Sequence, residues 1–382
     1  MKRTLYGEEH ELFREQFRRF LEREAVPNYG QWERDGVVSR EAWLKAGAAG
    51  FLCPWLPEDY GGSGADFLYS AVIAEEVAKA LCHGFYIYLH NDIVVPYLWT
   101  YTTDEQKGRW LKKCCTGEYI TAIAMTEPDA GSDLQAIRTT AARDGGHYVV
   151  NGMKTFISNG MLNDLCIVAV KTDPKAAPAH RGISLIVVEA GTPGYEKCRN
   201  LEKIGMHAQD TAELAFNDCR VPVGNLLGEP GQGFKMLMAK LQQERLVTTV
   251  RAATLMGVAL GLTRDYVNER KAFGKTIGSF QNTRFKLAEM YTVAEVTRNF
   301  VDRLIVAHAA GEKIDTETAM AKWWATENLK RVVDECLQFF GGYGYMEEYP
   351  IARLYRDVRF QTIAAGTTEI MKEIIARSVL GV

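Results

Sequence analysis

The spacing of apolar residues changes twice along the chain, and the two changes divide it into three regions. From Glu8 to about Gly117 apolar positions recur at helical intervals. "EEHELFREQFRRFLEREAVP" sets Leu12, Phe13, Phe17, Phe20 and Leu21 on one stripe, and Pro27, lacking an N–H, ends the run. "YSAVIAEEVAKAL" and "TDEQKGRWLKKCCTGE" repeat the pattern, the second opened by a Thr/Asp cap. "PEDYGGSGAD" reads as a loop between two of these helices.

From about Tyr119 to Asn225 the period shortens to that of strands. "YITAIAM", "HYVVNG", "KTFIS", "LCIVAVK", "ISLIVVE" and "AELAFND" are short runs of β-branched and aromatic residues separated by turn residues. They predict a small β-barrel or sandwich. "GEPGQGF" turns the chain back into helix, and periodic segments follow over roughly 242–271, 280–310, 315–340 and 367–379. Four helices of that length fit an antiparallel bundle. Helices, strands and helices in succession predict an α+β fold of segregated domains: helical over 1–118, β over 119–228, and helical again over 229–382.

Composition narrows the functional classes. The 382 residues carry a net charge of −3, which offers no basic face for nucleic acid. The first residues are charged and amphipathic, without the apolar core of a signal peptide, and no uncharged run approaches the length that crosses a bilayer. Eight scattered cysteines without a Cys-x-x-Cys suggest reduced thiols in a cytoplasmic-type compartment, and seven dispersed histidines give no zinc pattern.

Three loops carry candidate chemistry. In "AMTEPDAGSD" (124–133), Met125 and Thr126 end a strand, and Gly131 and Ser132 offer amide donors and a hydroxyl to a flavin edge or a phosphate. Glu127 and Asp133 there also read as turn-stabilising acceptors. In "QFFGGYGYMEEYPIARLYRD" (338–357), Gly341, Gly342 and Gly344 interrupt a helix and admit close backbone approach. In "AAGTTEI" (364–370), Thr367 and Thr368 stand at the N-terminus of the last helix, an anion-seeking end that a plain Thr cap also explains. Glu244 in "LQQERLVTTV" reads as a first-turn acid at the head of an apolar helix, or as a surface partner of Arg245 or Arg251.

Taken together, "AMTEPDAGSDLQA", the Gln338–Asp357 stretch with Glu348 and Arg353, and "RKAFGKTIGSFQ" (270–281) resemble the acyl-CoA dehydrogenase family over almost the whole chain, nearest its long-chain and isovaleryl branches. The resemblance implies FAD between the middle domain and the bundle, and a homotetramer in which each flavin is partly held by a neighbour. It implies that Ile123, Met125, Thr126, Gly131 and Ser132 line the flavin, with Phe156, Ile157 and Ser158 beside it. Arg270, Phe273, Gln281, Gln338, Phe339, Gly341 and Gly342 are implied to reach FAD across the subunit contact, and Thr367, Thr368 and Glu369 to form its final loop. Ser132, His180 and Arg181 match positions that meet CoA; Gln242, Arg245, Ala365 and Gly366 match others near the substrate.

The implied reaction removes an α-proton and a β-hydride from a CoA thioester, the hydride going to flavin N5 and the electrons to an electron-transfer flavoprotein. Most of the family carries its base just before the Gly-Thr of the last loop, where this chain has Ala365. The long-chain and isovaleryl branches carry it at the position of Glu244. The methyl at 365 leaves room for long, branched or alicyclic acyl groups. Lys235 stands where similar sequences often have Tyr. Asp92, inside "FYIYLHNDIVVPYLW", reads as part of an Asn91/Asp92 cap on a helix starting at Ile93, or as a second acid facing the acyl group. Rival readings are an oxygen-using oxidase or monooxygenase of the same fold, and a flavin-containing nucleic-acid-binding relative, which the charge disfavours.

Overall fold

A computed structural model describes residues 3–381. Six helices come first: α1 Glu8–Phe20, α2 Tyr29–Asp35, α3 Arg40–Ala48, α4 Phe67–Lys79, α5 Val95–Tyr101 and α6 Asp104–Thr116. Phe17, Phe20 and Leu21 bury as the stripe requires, whereas Leu12, at its edge, stays in solvent. Past Phe20 the chain loosens into a π-turn over Leu21–Ala25, so Pro27 enters a short 3-10 turn and breaks no α-helical ladder. A reciprocal capping box between Thr103 and Gln106 starts α6, and left-handed Gly117 ends it.

The helical domain is tied together by a buried charge cluster. Arg14 donates to Glu75 and to Glu76, each at 2.8 Å, and Arg3 bridges Glu75 and Asp302. Burial alone would raise the Glu75 pKa, but Arg3, Arg298 and Arg14 hold it down to about 2.

The middle region is one seven-stranded sheet of β1 Thr121–Ala124, β2 Thr140–Asp144, β3 His147–Ser158, β4 Leu165–Lys171, β5 Ile183–Glu189, β6 Tyr195–Asn200 and β7 Thr211–Pro222. β1 runs parallel to β4, with Ile123 opposite Ile167; β5 flanks β4 on its other side, and β3, β7 and β6 continue antiparallel. Among the described residues no pairing joins β5 to β6, so the sheet is bent and open rather than a closed barrel. "HYVVNG" and "KTFIS" form the single strand β3, broken by bulges, and β2 and β6 are strands that apolar spacing does not reveal.

The third region holds α7 Gly233–Glu269, a small β8 Lys271–Ala272 and β9 Lys275–Thr276 hairpin, α8 Gln281–Ala309, α9 Asp315–Phe339, α10 Pro350–Val358 and α11 Thr368–Leu380. α7 begins nine residues before the 242 expected. It alone among the described helices is long and apolar enough to cross a membrane, but most of that stretch is buried in the protein. It is the shared wall of the molecule. Leu246 and Val250 pack in one core with Leu98 and Trp110 of the first domain and Ile167 and Leu185 of the sheet. Further along α7, Leu255 and Met256 meet Met290, Leu329 and Val333 of α8 and α9.

Candidate active site

Because α7 starts at Gly233, Glu244 sits in its fourth turn, beyond the reach of the helix N-terminus. The first-turn reading is therefore corrected. Glu244 Oε2 is buried and accepts no hydrogen bond. Burial raises the carboxyl pKa, and the positive charges of Arg245 and Lys322 oppose that rise.

Lys322 is a site residue that sequence pattern does not flag. It lies on α9 with its side chain fully buried, and its ammonium donates to the Gly366 carbonyl at 2.5 Å. Burial, then Arg245, pull its pKa down to about 8, while Glu244 supports the charged form. The turn it holds is left-handed twice over, at Ala365 (φ 55°) and Gly366 (φ 88°). A β-carbon at 366 would come within 2.6 Å of Met371 Cε as well as strain the backbone. Thr367 then caps α11 by accepting from the Ile370 amide, and Thr368 spends its hydroxyl on Glu327 at 2.8 Å. Thus α7, α9 and the turn before α11 bring Glu244, Lys322, Ala365 and Gly366 to one place.

A seam of unpaired polar groups runs from there between α7 and the 83–97 segment. His83, the Tyr88 and Tyr97 hydroxyls, both Asp92 carboxylate oxygens, Glu244 Oε2 and Arg251 all contribute buried polar atoms without a hydrogen bond. Folded proteins satisfy nearly all such atoms, so this concentration points to a site that a ligand completes. Asp92 lies inside a π-turn, Leu89–Val94, and caps nothing. Asn91 does not cap either: it accepts from the Cys53 amide at 2.9 Å and donates to the Phe51 carbonyl at 2.9 Å. The cap reading is therefore corrected. Burial lifts the Asp92 pKa to about 7, with Ser70 opposing.

On the sheet side, Phe156 is 67% exposed and held at a left-handed φ of 59° beside the bulge between Lys154 and Ile157. The 125–133 loop is clamped from below. Buried Lys154 donates to the Met125 carbonyl at 3.0 Å and to Glu127 at 2.8 Å, and Glu127 also accepts from the Thr139 amide at 3.0 Å. Glu127 is thus the turn-stabilising acceptor its position suggested, and Asp133 likewise accepts from the Gln135 amide. Ser132 stays exposed, and its loop runs into a 3-10 turn packed against the one that carries His180 and Arg181.

Family models for the N-terminal, middle and C-terminal domains of acyl-CoA dehydrogenase match residues 7–118, 122–219 and 231–380. The chain belongs to the acyl-CoA dehydrogenase family. It is 48% identical over 379 residues to the mouse (Mus musculus) mitochondrial long-chain specific acyl-CoA dehydrogenase, covering 99% of this chain and 88% of the relative. A crystal structure of an acyl-CoA dehydrogenase from Geobacillus kaustophilus superposes with a TM-score of 0.98 at 58% identity, covering 99% of this chain and 100% of that one. A glutaryl-CoA dehydrogenase of Mycobacterium smegmatis, 25% identical with a TM-score of 0.91 and coverage of 99% and 96%, is in complex with FADH2.

Members of this acyl-CoA dehydrogenase family depend on FAD, and the residues present suit it. Phe156 is an exposed ring fixed at a strained backbone position, as a planar partner requires. The exposed Gly131–Ser132 turn and the α11 N-terminus beside Thr367 and Thr368 offer donors to polar and anionic edges. Ile123 and Ile157 are buried, in the separate cores on the two faces of the sheet, whereas Met125, Thr126 and Ser158 are half-buried.

Other expected contacts lie elsewhere. Arg270 is twenty-six residues past Glu244 on α7, about 39 Å of helix away. There it meets the Tyr343 ring at 5.5 Å, near the ends of α8 and α9 that carry Gln281, Gln338, Phe339, Gly341 and Gly342. This face is open: Phe273 is 94% exposed and Tyr345 85%. Glu369 is also exposed. Gln242 is corrected. It donates to the Glu312 carbonyl at 3.0 Å and accepts from the Ile314 amide at 2.8 Å, clamping the α8–α9 connection with no polar atom left for a substrate. Arg245 is buried on the bundle side with Nε unpaired, and Lys235 is exposed in the first turn of α7.

Proposed function

We propose that the enzyme dehydrogenates an acyl-CoA thioester to the 2-enoyl-CoA, with Glu244 as the base that takes the α-proton. The observation that carries this reading is the unpaired Glu244 Oε2, in a buried position that raises its pKa, beside the Lys322-held turn. A Cα–H next to a thioester is a weak acid, so the base must be poised near the working pH and kept from water. The carbonyl oxygen must also be met by preorganised donors as charge develops on it. The left-handed Ala365–Gly366 backbone is the element in reach that offers an amide there, and Lys322 fixes it by gripping the Gly366 carbonyl. FAD, when bound, supplies the acceptor for the β-hydride.

Ser132, His180 and Arg181 form the entry for the CoA portion, and Ala365, by its small side chain, admits long, branched or alicyclic acyl groups. The exposed Phe273–Tyr345 face supports a homotetramer in which Arg270, Phe273, Gln281 and residues 338–342 serve the flavin of a neighbouring copy. Reoxidation falls to an electron-transfer flavoprotein. Eight free thiols, seven of them buried, suit a reducing compartment such as the cytoplasm. Anaerobic mixing of the FAD-loaded enzyme with straight, branched and cyclic acyl-CoAs tests the reaction. At least one class should bleach the flavin, and retention of full colour with all of them would end this reading.

A further inference from the structure

The seam beside Glu244 does not finish in apolar residues. Seven positions on, about 10 Å along α7 and on nearly the same face, stands Arg251. Its side chain is buried, and none of its three nitrogens makes a hydrogen bond. The guanidinium carbon lies 4.4 Å from the Tyr88 ring centroid and 5.5 Å from that of Tyr86. The Tyr86 hydroxyl faces Arg251 as a loose contact that falls short of a hydrogen bond, and the same phenol is within electrostatic range of Glu244. One side chain therefore spans the two ends of the space.

No anion answers this cation. Among the described residues no carboxylate forms an ion pair with Arg251. His83 faces it, but burial first, then Arg251 and Arg353, push the imidazole pKa well below its usual value, so it stays neutral. Asp92 looks toward Ser70 and Cys53 instead. A buried charge without a partner is strongly unfavourable, and stacking on two phenol rings offsets only part of that. The fork of N–H donors matches a carboxylate in both shape and charge.

We infer that Arg251 forms the terminal subsite of the acyl pocket and receives a carboxylate carried at the far end of the acyl group. The substrate is then the mono-CoA thioester of a dicarboxylic acid, an inference that rests on the dehydrogenase reading above. The unpaired Tyr88 hydroxyl can complete the carboxylate's hydrogen bonds. A methyl-ended chain of the same length would leave the guanidinium unpaired.

The test compares kcat/KM for adipyl-CoA and suberyl-CoA with hexanoyl-CoA and octanoyl-CoA, using the FAD-loaded enzyme. The carboxyl-ended member of each pair should be favoured about tenfold or more, as a charge-assisted hydrogen bond provides. Arg251→Met should lower that preference about ten- to hundredfold, and Arg251→Lys should keep part of it. A wild-type enzyme that favours the methyl-ended thioesters overturns the inference even if the variants do not fold, and so does a preference that Arg251→Met leaves unaltered. If neither series bleaches the wild-type flavin while a branched, cyclic or longer straight acyl-CoA does, this inference alone fails; if no acyl-CoA of any class does, the dehydrogenase reading fails with it.

Discussion

Replacing Glu244 with Gln removes the proposed base while keeping its shape. Oε2 accepts no hydrogen bond, so the amide breaks none there, and it relieves whatever cost burial places on a carboxylate. Stability should therefore change by no more than about 1 kcal/mol, and FAD content should not change. Catalysis should fall much further. Loss of a positioned general base typically costs about 10²- to 10⁴-fold, or roughly 3–5 kcal/mol in the barrier. The assay is single-turnover bleaching of the flavin under anaerobic conditions, with thermal unfolding and flavin stoichiometry measured on the same preparation. Asp92 is the competitor, because it is a second buried carboxyl without a hydrogen bond on the segment that faces α7, with its pKa raised to about 7. If Glu244→Gln bleaches within tenfold of wild type while Asp92→Asn does not, the base has been misassigned.

Lys322→Met removes the donor to the Gly366 carbonyl and a positive neighbour of Glu244. It should cost about 1–3 kcal/mol in denaturant unfolding and move the acid limb of the kcat/KM–pH profile to higher pH; an unmoved limb would make Lys322 a structural tie only. Asp92, with its folded pKa at about 7 against an ordinary 3.8, binds its proton more tightly folded than unfolded, so its contribution falls as pH rises between those values and is flat above. Asp92→Asn should therefore gain about 3 kcal/mol relative to wild type between pH 5 and pH 8, and a constant difference in chemical denaturation would refute the shift. Glu75, held at about 2 against an ordinary 4.5, contributes stability that is present above 4.5 and lost as pH falls from there through about 2. Glu75→Gln should cost about 3 kcal/mol at neutral pH and progressively less as the solution is acidified.

Much of this architecture is legible because it is local. Caps such as Thr103 with Gln106, the apolar stripe of α1 and the Val/Ile runs of β4 and β5 each declare their element within a few residues. What fails to show is whatever the neighbours supply. β2 and β6 are largely exposed and polar, and they are strands because β3 and β7 offer them edges. The start of α7 is hidden for a related reason. Gly233 opens a helix against Ser184 of the sheet, where no β-carbon fits, and in its first turns apolar residues stand at 234, 236–239 and 241, a run too continuous to show a helical period.

The site divides along the same line. Glycines, the Thr pair before α11 and the Ala365–Glu244 exchange are matters of residue type, so they can be compared along a sequence. Lys322 and Arg251 are not, because a lysine or arginine in a helix reads as solvated until its surroundings are known. Their meaning lies in what they lack or hold: Lys322 one backbone carbonyl, Arg251 no acceptor at all. The two cations bracket the space from opposite ends, one beside the turn at Gly366 and one two helical turns below Glu244. A thioester whose carbonyl lies at the first and whose terminal carboxylate meets the second would pair the Arg251 guanidinium and give the Tyr88 hydroxyl an acceptor. That arrangement makes the charge at the far end of the acyl group, more than its bulk, the property on which selectivity turns.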